Sequence, residues 1–166
     1  MSKLNYLYLG LGSNLGDKIE NILLAYTQIQ ERIGCIKNKS FVYETPPWGF
    51  KSKDVFYNTA LLVETKLNAI EVLKIIKEIE RELGRDTAYK VGYSSRVIDI
   101  DILDFNGEIM SSVELTIPHP HIENRDFVLY PLRDVNNSWI HPVSSDSIQR
   151  MIEEIGNQNE IKIVIF

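Results

Sequence analysis

A single cysteine, Cys35, occurs in the whole chain, which excludes an internal disulfide framework and makes a reducing compartment the simpler setting. Between Gly34 and Ile36 its thiol is expected to be buried. No uncharged apolar run approaches the roughly 20 residues that a membrane-spanning helix needs. The first residues also lack the basic, apolar and small-residue order of a secretion signal. The expectation is a cytoplasmic protein with no membrane partner. Basic excess is missing too: 18 Lys and Arg stand against 23 Asp and Glu, a formal net charge of −5. That argues against nucleic acid as the main partner, because binding a phosphate backbone needs clustered cations. A small anionic ligand stays open, since a few local cations or a helix N-terminus suffice.

What remains is an ordinary globular composition, 44% hydrophobic and 25% charged over 166 residues, without low-complexity tracts or fixed-period repeats. One domain, 1–166, is expected, burying roughly two-thirds of its unfolded surface with no need of a structural metal. Nothing in the pattern marks an obligate interface, so the expected state is a monomer.

Along the chain, residues 6–12 (YLYLGLG) read as a strand broken at glycines, and Ile19, Ile22, Leu23, Tyr26, Ile29 and Ile33 recur at helical spacing up to Gly34. A strand is expected at 39–43, stopped by Thr45-Pro46-Pro47. Residues 56–64 form another strand, 68–83 a helix closed by Gly84, and 97–105 (VIDIDILDF) a strand, with Asn106-Gly107 as a hairpin turn signal. The order βαββαβ is the ferredoxin-like arrangement of an α+β sandwich. Helices at 124–132 and 145–155 and a strand at 161–166 are expected as C-terminal additions.

Asp99-Ile100-Asp101 is the sharpest chemical feature. Residues two apart on a strand share a face, roughly 6.5–7 Å from each other. Carboxylates so placed on a buried face repel and resist ionisation, and magnesium, which takes carboxylates together with phosphates and waters, relieves both. A half-exposed strand with its polar face in water reads equally well from the bare pattern. Arg96 would point to the opposite strand face unless the chain bends, and Arg85 opens the loop leading there. Both suit a phosphoryl-transfer site, or surface pairing with Glu80 or Glu82. Around residues 116–127, prolines stiffen a loop carrying His119 and His121, followed by Arg125 where a helix begins. It could hold an anion; zinc is the weaker option, since the histidines are two apart and Cys35 is distant. Thr45, Pro46, Trp48 and Phe50, with Phe56 and Asn58, suit a flat heterocycle or simple loop packing. GLGSNLG (10–16) lacks the Walker lysine and reads as a tight strand-to-helix turn.

GLGSNLG, YETPPWG, the FYN strand, IERELGR, RVIDIDIL and LTIPHPHIENRDFVLYPL, in this order, resemble the hydroxymethyl-dihydropterin pyrophosphokinases from Tyr6 to about Pro131. The resemblance implies transfer of pyrophosphate from ATP to 6-hydroxymethyl-7,8-dihydropterin, in folate biosynthesis, with AMP as the other product. It implies two magnesium ions on Asp99 and Asp101. The pterin would lie between Phe56 and Phe127, read by Asn58 and flanked by Thr45, Pro46 and Trp48. Arg85 and Arg96 would engage the phosphates during transfer, and Lys77, Glu80, Ile102, Thr116, His119 and Arg125 would contact the nucleotide. The chain departs from the family in residues 86–95, poor in arginine, and at Pro120, where some members have tyrosine. Two rival readings are a D-x-D transferase of nucleotide sugars, which would be indifferent to pterins, and a ligand-sensing ferredoxin-like module, which would tolerate loss of both aspartates.

Overall fold

The computed structural model describes residues 2–84 and 96–164. β1 (Asn5–Ser13) is the central strand: Leu7, Leu9 and Leu11 are buried on one face, while Tyr8, Gly10 and Gly12 lie on the other. α1 (Lys18–Arg32) starts at Asp17, whose side chain accepts the Glu20 N–H and so satisfies an otherwise orphaned donor. Its Ile22, Ala25 and Ile29 pack on the β1 leucines. The strand expected at 39–43 is two strands, β2 (Gly34–Lys39) and β3 (Val42–Thr45), both antiparallel to β4 (Phe56–Thr65). Ser40 makes the break: its N–H donates to the Ala60 carbonyl and its hydroxyl takes the Ala60 N–H. Cys35 is exposed, not buried, because strand alternation turns Gly34 and Ile36 inward and Cys35 outward. A Cβ on Gly34 would stand 2.1 Å from the Glu64 carbonyl, so only glycine permits this entry into the sheet.

α2 (Ala69–Glu82) opens with a reciprocal capping box between Asn68 and Glu71 and buries Val72, Ile76 and Ile79 beside α1. β5 (Asp99–Phe105) then pairs with the free edge of β1. The sheet order β5-β1-β4-β3, antiparallel throughout, with both helices on one face, is the ferredoxin-like fold that the element order predicts. Asn106 and Gly107 adopt positive φ (54° and 67°) in a tight turn. That turn does not make a β5 hairpin: Asn106 exchanges hydrogen bonds with Tyr6 at the start of β1, and β6 (Met110–Ser111) pairs instead with β7 (Thr116–Ile117).

A 3-10 turn (Ile122–Asn124), α3 (Asp126–Val135) and α4 (Ile148–Ile155) bring Ile122, Leu129, Leu132, Trp139 and Met151 together on the opposite sheet face, against Leu103. A bulge in β5 makes this second core possible. Leu9 pairs with Ile102 but Tyr8 pairs with Asp104, so the alternation slips at Leu103. Leu103 and Asp104 both serve the α3 side, and Phe105 returns to the α1/α2 core. β8 (Lys162–Val164) extends the sheet by pairing with β3. Among the described residues no helix is long and apolar enough to cross a membrane.

Candidate active site

A cleft opens on the sheet face that carries α3, concave and lined by aromatic side chains with a few polar groups, as small-molecule sites are. Its floor is backbone. Gly10 and Gly12 lie in register between Ala60 and Asn58 of β4 on one side and Asp101 and Asp99 of β5 on the other. The missing side chains create the depth: a Cβ on Gly12 would meet Asn58 Oδ1 at 2.9 Å, and one on Gly10 would touch the Leu103 methyls at 3.4 Å.

The cleft wall is made by Thr45, Pro46, Trp48, Phe50 and Phe56 together with Arg125, Phe127 and Val128. Asn58 is buried and donates from Nδ2 to Thr45 Oγ1 at 2.6 Å. This fixes its amide with the carbonyl oxygen toward Gly12. Phe50 meets Phe56 edge-on at 6.0 Å, and Trp48 meets Phe127 edge-on at 6.3 Å. The Arg125 guanidinium lies 4.4 Å over the Trp48 ring and 5.6 Å from that of Phe127. Such a wall suits a planar ring, which stacks on aromatic faces while a buried amide reads its edge.

The charged end lies across the floor. Residues 96–98 are not strand, so the chain bends there and Arg96 reaches the same side as Asp99, with Nη1 2.9 Å from Oδ1. Asp101 lines the cleft, and the exposed third of its side chain opens into it. Its pKa is raised, first by loss of hydration and then by the charges of Asp99 and Glu80, against the opposing pull of Arg125 and Arg96. His119 stands beside it, Nε2 to Asp101 Oδ2 3.9 Å. Its Nδ1 accepts the His121 N–H, which leaves the proton of the neutral ring on Nε2, toward Asp101. Burial, then the charge of Arg125 and the proximity of His121, lower the His119 pKa to about 4. At neutral pH it is an uncharged donor. Two carboxylates on one strand face are a donor set that fits magnesium, which keeps waters and shares substrate phosphates.

Six residues expected at a pterin pocket, Thr45, Pro46, Trp48, Phe56, Asn58 and Phe127, thus share one cleft with Arg96, Asp99, Asp101 and Arg125. The remaining expected nucleotide contacts do not line it. Lys77 is exposed on α2 and Glu80 is buried on the same helix, near enough to act on Asp101. The Ile102 side chain belongs to the α1/α2 core, and Thr116 is exposed on β7. Arg85 lies outside the described residues, as do the departures at 86–95. Phe50, read from the sequence as part of the aromatic cluster, also lines the cleft, whereas Gly10 and Gly12 were not expected to line a site. For the glycines a signal existed, since two side-chain-free positions two apart on a strand leave one face open.

Residues 8–137 match the family model for 7,8-dihydro-6-hydroxymethylpterin-pyrophosphokinase. The chain is 40% identical over 155 residues to the 2-amino-4-hydroxy-6-hydroxymethyldihydropteridine pyrophosphokinase of Aquifex aeolicus, covering 93% of this chain and 92% of that one. It is 44% identical over 137 residues to the Porphyromonas gingivalis protein of the same name, covering 81% and 92%. A folic acid synthesis protein of Dictyostelium discoideum is 42% identical over 157 residues, 95% of this chain but 23% of that longer relative. The crystal structure of a Plasmodium falciparum HPPK-DHPS triple mutant superposes with a TM-score of 0.77 at 19% identity, over 95% of this chain and 48% of that one. It has the same fold.

Proposed function

The chain belongs to the 7,8-dihydro-6-hydroxymethylpterin pyrophosphokinase family, and from that premise we propose that it transfers pyrophosphate from ATP to 6-hydroxymethyl-7,8-dihydropterin in folate biosynthesis. One observation carries the assignment to this cleft. Asn58 and Asp99 flank Gly12 in register, so a ring-reading amide and a metal-type carboxylate stand two strand spacings apart, roughly 9–10 Å. A bicyclic ring whose edge meets Asn58 then directs its hydroxymethyl arm toward Asp99 and Asp101.

In this reading Phe56 and Phe127 stack on the pterin, Trp48, Thr45 and Pro46 shape its pocket, and Asn58 reads its edge. Asp99 and Asp101 would hold two magnesium ions, which would neutralise phosphate charge during the transfer. Arg125 contacts the nucleotide inside the cleft and Lys77, Glu80, Ile102 and Thr116 beyond it, and His119 offers an N–H to a phosphate oxygen. The hydroxymethyl oxygen attacks the β-phosphorus. The bond from that phosphorus to the α,β-bridging oxygen breaks, AMP leaves with that oxygen, and the hydroxyl proton passes to solvent. Arg96 and Arg85 stabilise the charge on the transferring group. Fixing both substrates on one floor removes much of the entropy cost of their encounter. The return of β8 to pair with β3 supports one working domain, 1–166, which acts as a cytoplasmic monomer.

The test is AMP formation from ATP and magnesium, with and without the hydroxymethyl pterin. Pterin-dependent AMP, lost with a chelator and reduced about 10³-fold or more in Asp99→Ala and Asp101→Ala, is the expected result. ADP as product, or normal turnover by both variants, would overturn the mechanism.

A further inference from the structure

Past the glycines of the cleft floor, the turn motif at 10–16 contains a nearly inaccessible polar side chain with no part in the mechanism above, Asn14, 1% exposed. Its backbone N–H donates to the Arg96 carbonyl at 3.1 Å, and its side-chain Oδ1 accepts the Arg96 N–H at 2.7 Å. The two bonds close a ring around one residue, with the amide oxygen taking the place of a strand carbonyl. Asn21, one helical turn into α1, adds a second tie: its Nδ2 donates to the Val97 carbonyl at 3.2 Å, and also to Leu15 O at 2.8 Å and Ser13 Oγ at 3.1 Å. Residues 96 and 97 are therefore pinned to the β1–α1 turn before β5 begins at Asp99, where ladder hydrogen bonds take over.

This matters because the segment so pinned carries the guanidinium on Asp99. Outside a strand, nothing in the sheet register fixes how far Arg96 stands from the carboxylate pair. We propose that Asn14 is a positioning residue for the transfer, holding the Arg96 backbone at the height from which its side chain meets both Asp99 and the transferring phosphate. The inference rests on the role given to Arg96 above. Asparagine suits the position because it accepts from an N–H without bringing a further negative charge to the segment that carries Arg96.

The experiment is a double-mutant cycle on pterin-dependent AMP release with Asn14→Ala, Arg96→Ala and the pair. A misplacement of about 1 Å in a transfer site costs up to roughly 10²-fold, so Asn14→Ala is expected to lower kcat about 10- to 100-fold. The KM for the pterin should stay within about twofold, since its pocket comes from β3, β4 and α3. In the Arg96→Ala background the same change should add less than about threefold, because coupled residues do not sum. Hydrogen exchange at the Arg96 amide should accelerate in Asn14→Ala. The same loss in both backgrounds, or an unchanged kcat, overturns the inference while leaving the role of Arg96 intact. Unchanged turnover in Arg96→Ala alone removes that role, and the inference with it. Should Asn14→Ala not fold, the cycle with Asn14→Ser, whose hydroxyl is one bond too short for the Arg96 N–H, decides on the same terms.

Discussion

The indole Nε1 of Trp139 donates to the buried carboxylate of Asp104 at 2.7 Å, and this bond ties the C-terminal helices to the strand that carries the candidate metal ligands. The other Asp104 oxygen accepts the Gly107 N–H at 2.9 Å. Of the three aspartates in the strand, the first two face the cleft and the third is structural. Asp104→Ala leaves the buried Trp139 Nε1–H without an acceptor and releases the exposed Gly107 N–H, and a loss of about 2 kcal/mol is expected. Trp139→Phe, which keeps the Gly107 bond, should cost clearly less. Chemical denaturation measures both, and equal small losses would show that the bond does not anchor this layer.

Gly12→Ala places a methyl 2.9 Å from Asn58 Oδ1. Asn58 is held from its other end by Thr45, so it cannot yield without losing that bond. The expected effect is a 10- to 100-fold weaker Kd for the pterin. Gly10→Ala meets only the Leu103 methyls, at 3.4 Å, and should cost much less. Titration calorimetry with the two variants reads the difference directly, and equal affinities would remove Asn58 from the pocket.

The two shifted groups beside the cleft act on stability in opposite senses. Asp101 has a folded pKa raised above 3.8, so its contribution is present at low pH and is lost as pH rises through the raised value. His119 is lowered from 6.5 to about 4, so its contribution is present above 6.5 and is lost as pH falls toward 4. Between these limits they oppose each other, and above pH 6.5 only Asp101 still acts. The Tm of the metal-free protein should therefore carry a falling contribution as pH rises above 6.5. Asp101→Asn should remove it, and saturating magnesium with a non-hydrolysable ATP analogue should offset it. An unchanged slope in Asp101→Asn would contradict the assignment.

Asn68→Ala tests the fold apart from the chemistry. It removes the capping box at the start of α2, so a loss of about 1 kcal/mol is expected in thermal unfolding. AMP release per folded molecule should not change.

Much of this was legible along the chain because it depends on neighbours in sequence. Helical spacing placed α1 and α2, Asn106-Gly107 announced a tight turn, and the spacing of Asp99 and Asp101 placed both on one strand face. What failed was decided at a distance. Cys35 looked buried from its apolar neighbours, yet strand parity turned it outward. The strand at 39–43 divided because Ser40 trades hydrogen bonds with Ala60, a partner 20 residues away. The turn at Asn106 led to no β5 hairpin because it docks on Tyr6, at the start of the chain's first strand.

By itself, then, the sequence determined the element order, the aromatic and carboxylate clusters, and the family, since each is carried by residue type and short-range spacing. The tertiary structure decided that Asn58, Gly12 and Asp99 lie side by side, that a bulge at Leu103 sends Asp104 to Trp139, and that Asn14 grips the backbone of Arg96. These are facts of register between strands and turns distant in sequence. Register is set only when the buried faces of the sheet are packed against both helix layers, and no local pattern encodes it.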